Sequence, residues 1–186
     1  VQGGVGALAA ATVGFYASRF GSDRPTTVVV EPANAECLLE SARIGDGSPH
    51  AVDGDLQTIM AGLACGEPSP IAWRVLWDSV DAFLACPDYV AAKGMRVYAT
   101  PLSGDPFVVS GESGAVTLGA LMFVTEYPEF ADLKDYLRLD PGSQILLINS
   151  EGNTDPDEFR RVVWEGANSI PREYRWNSAG ARLTRS

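Results

Sequence analysis

Lysine is scarce in this sequence. Of fourteen basic residues only Lys93 and Lys134 are lysines, the other twelve being arginines. Histidine occurs once, at His50, and cysteine three times. Each shortage excludes something. A formal charge of −10 rules against nucleic-acid or anionic-membrane partners, which require a concentrated basic surface. A Ser-His-Asp relay would need the single histidine, and His50 stands in a Pro/Gly/Asp-rich loop with no metal-ligand spacing around it. An odd cysteine count does not make a secreted disulfide framework. Cys65 lies between Ala64 and Gly66 without a neighbouring base, which argues against a catalytic thiol. Val5–Tyr16, the longest uncharged apolar run, is about half the ~20 residues of a membrane-spanning helix. No charged leader precedes it, so it does not read as a signal peptide. The expectation is a soluble, cytoplasmic protein that binds neither nucleic acid nor membrane nor metal.

What the chain does contain is enough apolar material, 46% against 20% charged, to build a core for one domain or a large part of one. Ala7–Phe20 is apolar nearly all round and predicts a helix buried against a sheet. Thr26–Val30 predicts a strand, and Ala33–Ser41 a helix after it. Gly45–Asp55 reads as a loop. Leu56–Pro70 carries a short helical segment and the loop 64–68. The apolar spacing from Ser69 to Ala85 predicts an amphipathic helix with Ser69 as N-cap and Pro70 at the first helical position. Helices are further expected over Val90–Tyr98, Ser113–Glu126, Phe130–Leu139 and Pro156–Glu165, and strands over Phe107–Val109 and Gln144–Ile148. Alternating strands and helices imply an α/β architecture, a parallel sheet with flanking helices.

Three segments share one plan, in which an apolar stretch stops and a Gly/Ser-rich turn opens a helix: Gln2–Gly6, Ser110–Gly114 and Ser150–Asp155. In a parallel sheet such turns lie at the carboxyl ends of strands, where ligands bind. Gly3, Gly4 and Gly6 would leave backbone N–H groups open to a phosphate at a helix N-terminus. A tight strand-to-helix turn needs the same small residues, and the run is neither a P-loop nor a dinucleotide fingerprint. Ser150 serves equally as a turn or cap hydroxyl.

Joined in order, QGGVGALAAATVGFY, VVVEPANAECLLES, TIMAGLACGEPSPIAW, AAKGMRVYATPLSGDPFVVSGESGAVTLG and LLINSEGNTDPDEFRRVVWEG resemble the C-terminal part of the large domain of diaminopropionate ammonia-lyases, a fold type II pyridoxal-phosphate (PLP) enzyme family. The resemblance covers residues 1–166 as a partial PLP-binding domain, and the tail 167–186 lies outside it. It implies α,β-elimination of ammonia from 2,3-diaminopropionate, giving pyruvate. It implies Gly3, Gly4, Val5 and Gly6 on the cofactor phosphate, Ser150 beside the pyridine nitrogen, and Glu67 and Ser113 near the substrate. A bridge between Cys37 and Cys65 at the rim is a further expectation. The family's Schiff-base lysine and acidic catalytic residues belong to an N-terminal segment not contained in these 186 residues. Lys93 and Lys134 read as solvated, so no catalytic residue is expected in this chain and it should be inactive alone. Its expected partners are that N-terminal half and a second copy, as a homodimer. A serine/threonine dehydratase-like enzyme and a non-catalytic ligand-binding or interaction module are the alternatives.

Overall fold

A computed structural model describes residues 1–175. Its elements are α1 (Ala7–Phe20), β1 (Val28–Pro32), α2 (Cys37–Ile44), α3 (Pro70–Ser79), β2 (Ala82–Cys86), α4 (Asp88–Ala99), α5 (Glu112–Glu126), α6 (Ala131–Tyr136) and α7 (Pro156–Val163). β1 and β2 pair in parallel, Val28 opposite Ala82 through Pro32 opposite Cys86, with α2 and α3 in the crossover between them. On the other side of β1, Val1–Gly3 add a short parallel stretch. Val30 N–H donates to Val1 O at 2.9 Å and Gly3 N–H to Val30 O at 2.8 Å.

The apolar run of β1 follows from burial on both faces. Successive side chains of a strand point in opposite directions. Val29 accordingly packs with Ala9, Leu38, Trp73 and Leu76 from α1, α2 and α3. Val30 packs with Val90, Val116, Ala120 and Phe123 from α4 and α5. Helices thus cover both sides of the sheet. α4 and α5 cross at glycine: a Cβ on Gly94 would stand 2.1 Å from Ala115 O, and one on Gly119 2.0 Å from Val90 O. The small residues read in Ser113–Glu126 therefore set the distance between the two helices.

Several expectations are corrected. The strand begins and ends two residues later than Thr26–Val30, because its partners on β2 are Ala82–Cys86. The helix expected over Ala33–Ser41 starts at Cys37: residues 33–35 form a turn, and the Glu31 carboxylate accepts from Leu38 and Leu39 N–H at 3.0 and 2.8 Å. The helix expected to run to Ala85 stops at Ser79, since Phe83 and Leu84 satisfy their burial as strand residues beside β1. Its Ser69 cap and leading Pro70 stand as expected, Ala72 N–H donating to Ser69 Oγ. Phe107–Val109 and Gln144–Ile148 form no strand, because neither meets a ladder partner among the described residues. α1 buries only Ala9 and Val13, leaving Phe15 and Phe20 exposed, so it is one-sided rather than buried all round. Among the described residues no helix is long and apolar enough to cross a membrane. Residues 176–186 of the expected tail lie outside the described residues.

Candidate functional site

The site starts from backbone geometry. After pairing with β1, the chain turns at Gly4–Gly6 directly into α1. A Cβ at Gly3 would meet Val29 Cγ1 at 2.7 Å and Glu31 Cγ at 2.9 Å. Gly6 has φ of 92°, where non-glycine residues are strained, and a Cβ there would lie 2.8 Å from Leu76 Cδ1. Only glycine fits either position.

Gln2, of the first turn, ties it to the second turn and to the segment that leads into the third. It is buried, and its Nε2 donates to Ile148 O at 2.6 Å and to Gly114 O at 3.2 Å. Ser110 Oγ donates to Asn149 Oδ1 at 2.9 Å, and Asn149 Nδ2 donates to Val109 O at 3.2 Å. The turns do not remain equivalent. At α5 the Glu151 carboxylate accepts from Ser113 N–H at 2.7 Å and Gly114 N–H at 3.3 Å. At α7 the Asp155 carboxylate accepts from Glu158 N–H at 3.0 Å. Both positive helix ends already hold an anion. α1 has no side-chain cap at Gly6, so its first-turn N–H groups, which have no intrahelical acceptor, stay open to an external one.

Ser113 reaches this region through Gly62. It is buried, a Cβ on Gly62 would lie 3.2 Å from Ser113 Oγ, and Gly62 O would lie 3.4 Å from a Cβ on Gly4. Ser113 Oγ, Gln2 Oε1 and Glu112 Oε1 are buried without a hydrogen-bond partner. Orphans of this kind are uncommon, and a ligand with hydrogen-bonding groups would satisfy them. Burial first, then the nearby Glu151 charge, raises the Glu112 carboxyl above its ordinary range. Glu67 is exposed, in a loop docked on the glycine turn by Ser69 N–H donating to Val5 O at 2.8 Å. Ser150 is exposed between Asn149 and Glu151. Gln2, Glu112, Asn149 and Glu151 escaped the sequence reading. Their acceptors and donors lie up to 146 residues away, and no spacing rule reaches that far.

Under the glycine turn sits a second buried group. Burial pushes the Glu31 carboxyl up to about 7, against the pull of the Leu38 and Leu39 N–H bonds. The folded chain therefore keeps a proton that the unfolded chain releases near pH 4.5. Stability from this group is full below about pH 4.5 and is lost as pH rises to about 7. The loss is expected to reach about 3 kcal/mol, read from urea unfolding across that range, and Glu31→Gln should remove it. The Cys37 thiol faces Gly4 O at 3.7 Å and Glu31 Oε1 at 3.8 Å, and burial, then Glu31, pushes it up to about 12. All three cysteines are free. The expected Cys37–Cys65 bridge is not formed, since Cys37 Sγ has turned to these two oxygens. Denaturation without reductant should expose three titratable thiols; a count of one would restore the bridge.

Lys93 corrects another expectation. It is buried rather than solvated: α4 and α5 approach so closely that its Nζ pairs with Glu126 and lies 5.1 Å from the Phe123 ring centroid and 5.2 Å from that of Tyr127. This places it outside the glycine turn. Lys134 lies on α6, partly exposed. His50 Nε2 stands 3.0 Å from both Asp46 oxygens in a surface loop. No group of three His, Cys, Asp or Glu side chains among the described residues could hold a metal ion.

The cluster thus offers an open helix N-terminus, glycines that let the turn pack tightly on β1 and α3, and orphaned polar atoms beside it. It suits an anionic cofactor held from one side. Residues 1–151 match the family model described as pyridoxal-phosphate dependent enzyme. The chain is 44% identical over 167 residues to diaminopropionate ammonia-lyase from Salmonella typhimurium, a match covering 89% of this chain and 41% of that protein. It superposes with a TM-score of 0.83 and 41% identity on the Escherichia coli diaminopropionate ammonia-lyase solved with an aminoacrylate–PLP azomethine intermediate, covering 92% of this chain and 43% of that one. Threonine deaminase isoform 2 from Solanum lycopersicum, at 18% identity and a TM-score of 0.67 over 87% of this chain and 41% of its own, shares the fold alone. The chain therefore spans about two fifths of the length of the curated relatives it matches. Its parallel strands and flanking helices are part of a fold type II α/β domain, and it is a homologue of diaminopropionate ammonia-lyase over that portion. By its sequence match and its fold, the chain belongs to the pyridoxal-phosphate dependent enzyme family.

Proposed function

We propose that this chain, over residues 1–166, provides the phosphate cradle and ring wall of a cytoplasmic PLP-dependent lyase that eliminates ammonia from 2,3-diaminopropionate, yielding pyruvate. The carrying observation is that α1 alone, among the three turn-and-helix units, presents an uncapped N-terminus, and does so behind Gly3, Gly4 and Gly6. The backbone N–H groups of Gly3–Gly6 and of the first turn of α1 would hold the phosphate. Ser150, exposed at the end of the Gln2-bound segment, would face the ring nitrogen as a neutral hydroxyl. Ser113 and the loop carrying Glu67 would border the substrate. When bound, PLP supplies the electron sink for the charge left at the substrate α-carbon.

Neither lysine of the chain belongs to the glycine turn. Lys93 is held by Glu126 and two aromatic rings, and Lys134 lies on a surface helix. The Schiff-base lysine and the acid–base residues would come from an N-terminal half in a longer polypeptide, which would work as a homodimer. The test is pyruvate release by the full-length polypeptide, supplied with PLP and given 2,3-diaminopropionate or serine. Release from 2,3-diaminopropionate, at least about a hundredfold faster than from serine, is expected. The 186-residue chain alone should release none. Preference for serine would favour the dehydratase-like reading, and pyruvate release by the chain alone would overturn the proposal.

A further inference from the structure

The segment 56–66 is closed on itself and tied down at both strand ends. Leu56 opens it with a φ of 53°, a left-handed conformation that a leucine keeps only where its neighbours hold it. Its side chain lies against Gly66, where an added Cβ would meet Leu56 Cδ1 at 3.1 Å. Between these two ends the chain is fastened across the carboxyl ends of β1 and β2. Asn34, in the turn after β1, donates from Nδ2 to Gln57 O at 2.7 Å. Asp88, the first residue of α4 after β2, accepts from Thr58 Oγ1 at 2.5 Å through Oδ1 and from Ile59 N–H at 3.2 Å through Oδ2. The shorter bond has the length of a hydroxyl donating to a carboxylate. Thr58 Oγ1 in turn accepts from Met60 N–H at 3.1 Å.

What these bonds hold in place is Met60–Cys65. Met60 is fully buried and, with Leu63, joins the core cluster of Val90, Ala91 and Val116. That leaves Gly62 to face the site. A Cβ on it would stand 3.2 Å from Ser113 Oγ, while Gly62 O and Leu63 Cα lie 3.4 and 3.7 Å from a Cβ on Gly4. We propose that Asp88 is a positioning residue for the substrate: acting through Thr58 and Ile59, it fixes how closely Met60–Cys65 approaches Ser113 and the glycine turn. The proposal rests on the lyase reading above, in which Ser113 borders the substrate. Ser113 Oγ, buried without a partner, is the atom whose access this spacing governs. The Asp88 carboxylate suits the task by its place as well as its charge. It starts α4, where the positive end of the helix dipole favours an anion, and gives one oxygen to each partner. Without it, Thr58 and Ile59 lose their acceptor and the left-handed entry at Leu56 is free to relax.

Asp88→Ala and Thr58→Val in the full-length polypeptide supplied with PLP test this. Each is expected to speed hydrogen exchange at the amides of Met60–Cys65 at least about tenfold and to raise KM for 2,3-diaminopropionate at least about tenfold. PLP affinity, read by titration, should change less than about threefold, because the α1 N-terminus is untouched. Thr58→Ser, which keeps the hydroxyl, should restore both exchange and KM. Unchanged exchange in Thr58→Val would overturn the proposal, and so would faster exchange with an unchanged KM. A fall in kcat and PLP affinity in step with the rise in KM, together with a lower urea midpoint, would also overturn it by showing a merely structural role. The parent separates the two readings. If it releases no pyruvate from 2,3-diaminopropionate, the lyase reading falls and takes the substrate role with it. If it does, variants of unchanged KM leave the lyase standing and remove only the role of Asp88.

Discussion

Gly119→Ala is expected to destabilise the protein by about 3 kcal/mol, whereas Gly14→Ala, the same substitution on another helix, should stabilise it by about 0.5–1 kcal/mol. Both positions are helix interiors, and in both alanine gains helix propensity by restricting the unfolded chain. They differ in what the methyl meets. At Gly14 the nearest atom is Val75 Cγ1 at 3.7 Å, an ordinary contact. At Gly119 it is the carbonyl oxygen of Val90 at 2.0 Å, with Val90 C at 2.8 Å. Backbone cannot rotate away as a side chain can, so α4 and α5 must separate. Separation loosens Val90, Ala91 and Val116, which sit in one core cluster, and strains the Lys93–Glu126 pair that spans the two helices. A loss of this size is a large share of the 5–15 kcal/mol that stabilises a typical domain. Urea unfolding of the two variants checks it, and a Gly119→Ala variant as stable as the parent would show that the helices do not approach as closely as described.

The second large effect concerns the glycine turn. Gly6→Ala in the full-length protein is expected to weaken PLP binding by at least about a hundredfold, or about 2.7 kcal/mol. Two costs act together: the φ of 92° strains any residue with a Cβ, and that Cβ meets Leu76 Cδ1 at 2.8 Å. Relief of either moves the start of α1, where the open N–H groups lie. Gly3→Ala should follow closely, because Val29, Glu31 and Leu38 crowd its Cβ at 2.7–3.0 Å. Gly4→Ala should be mildest, since its nearest neighbour is Cys65 Sγ at 3.3 Å. Titration of PLP into the three variants gives the ranking, and equal affinities would place the phosphate elsewhere.

From the sequence alone, the α/β architecture and the glycine turn that opens α1 were accessible because their causes are local. The cap at Ser69, followed by Pro70, and the valine run of β1 act within a few residues. The resemblance carried the cofactor class, which pattern alone would have left open at GGVG. Other features depended on contacts between distant segments. Gln144–Ile148 has the composition of a strand, but strand structure needs a partner, and its neighbour is a groove. Phe83 and Leu84 fit a helical spacing until β1 claims them as a ladder.

For the site, sequence determined that glycines, one histidine and two lysines were the materials. Tertiary structure decided which of three similar turns remains open. Glu151 reaches α5 across 38 residues and Asp155 caps α7, so only α1 keeps its positive end free. It also decided that Lys93 is desolvated, because burial of a charge depends on how closely two helices cross and on the carboxylate waiting there, neither of which is written in the residues beside it.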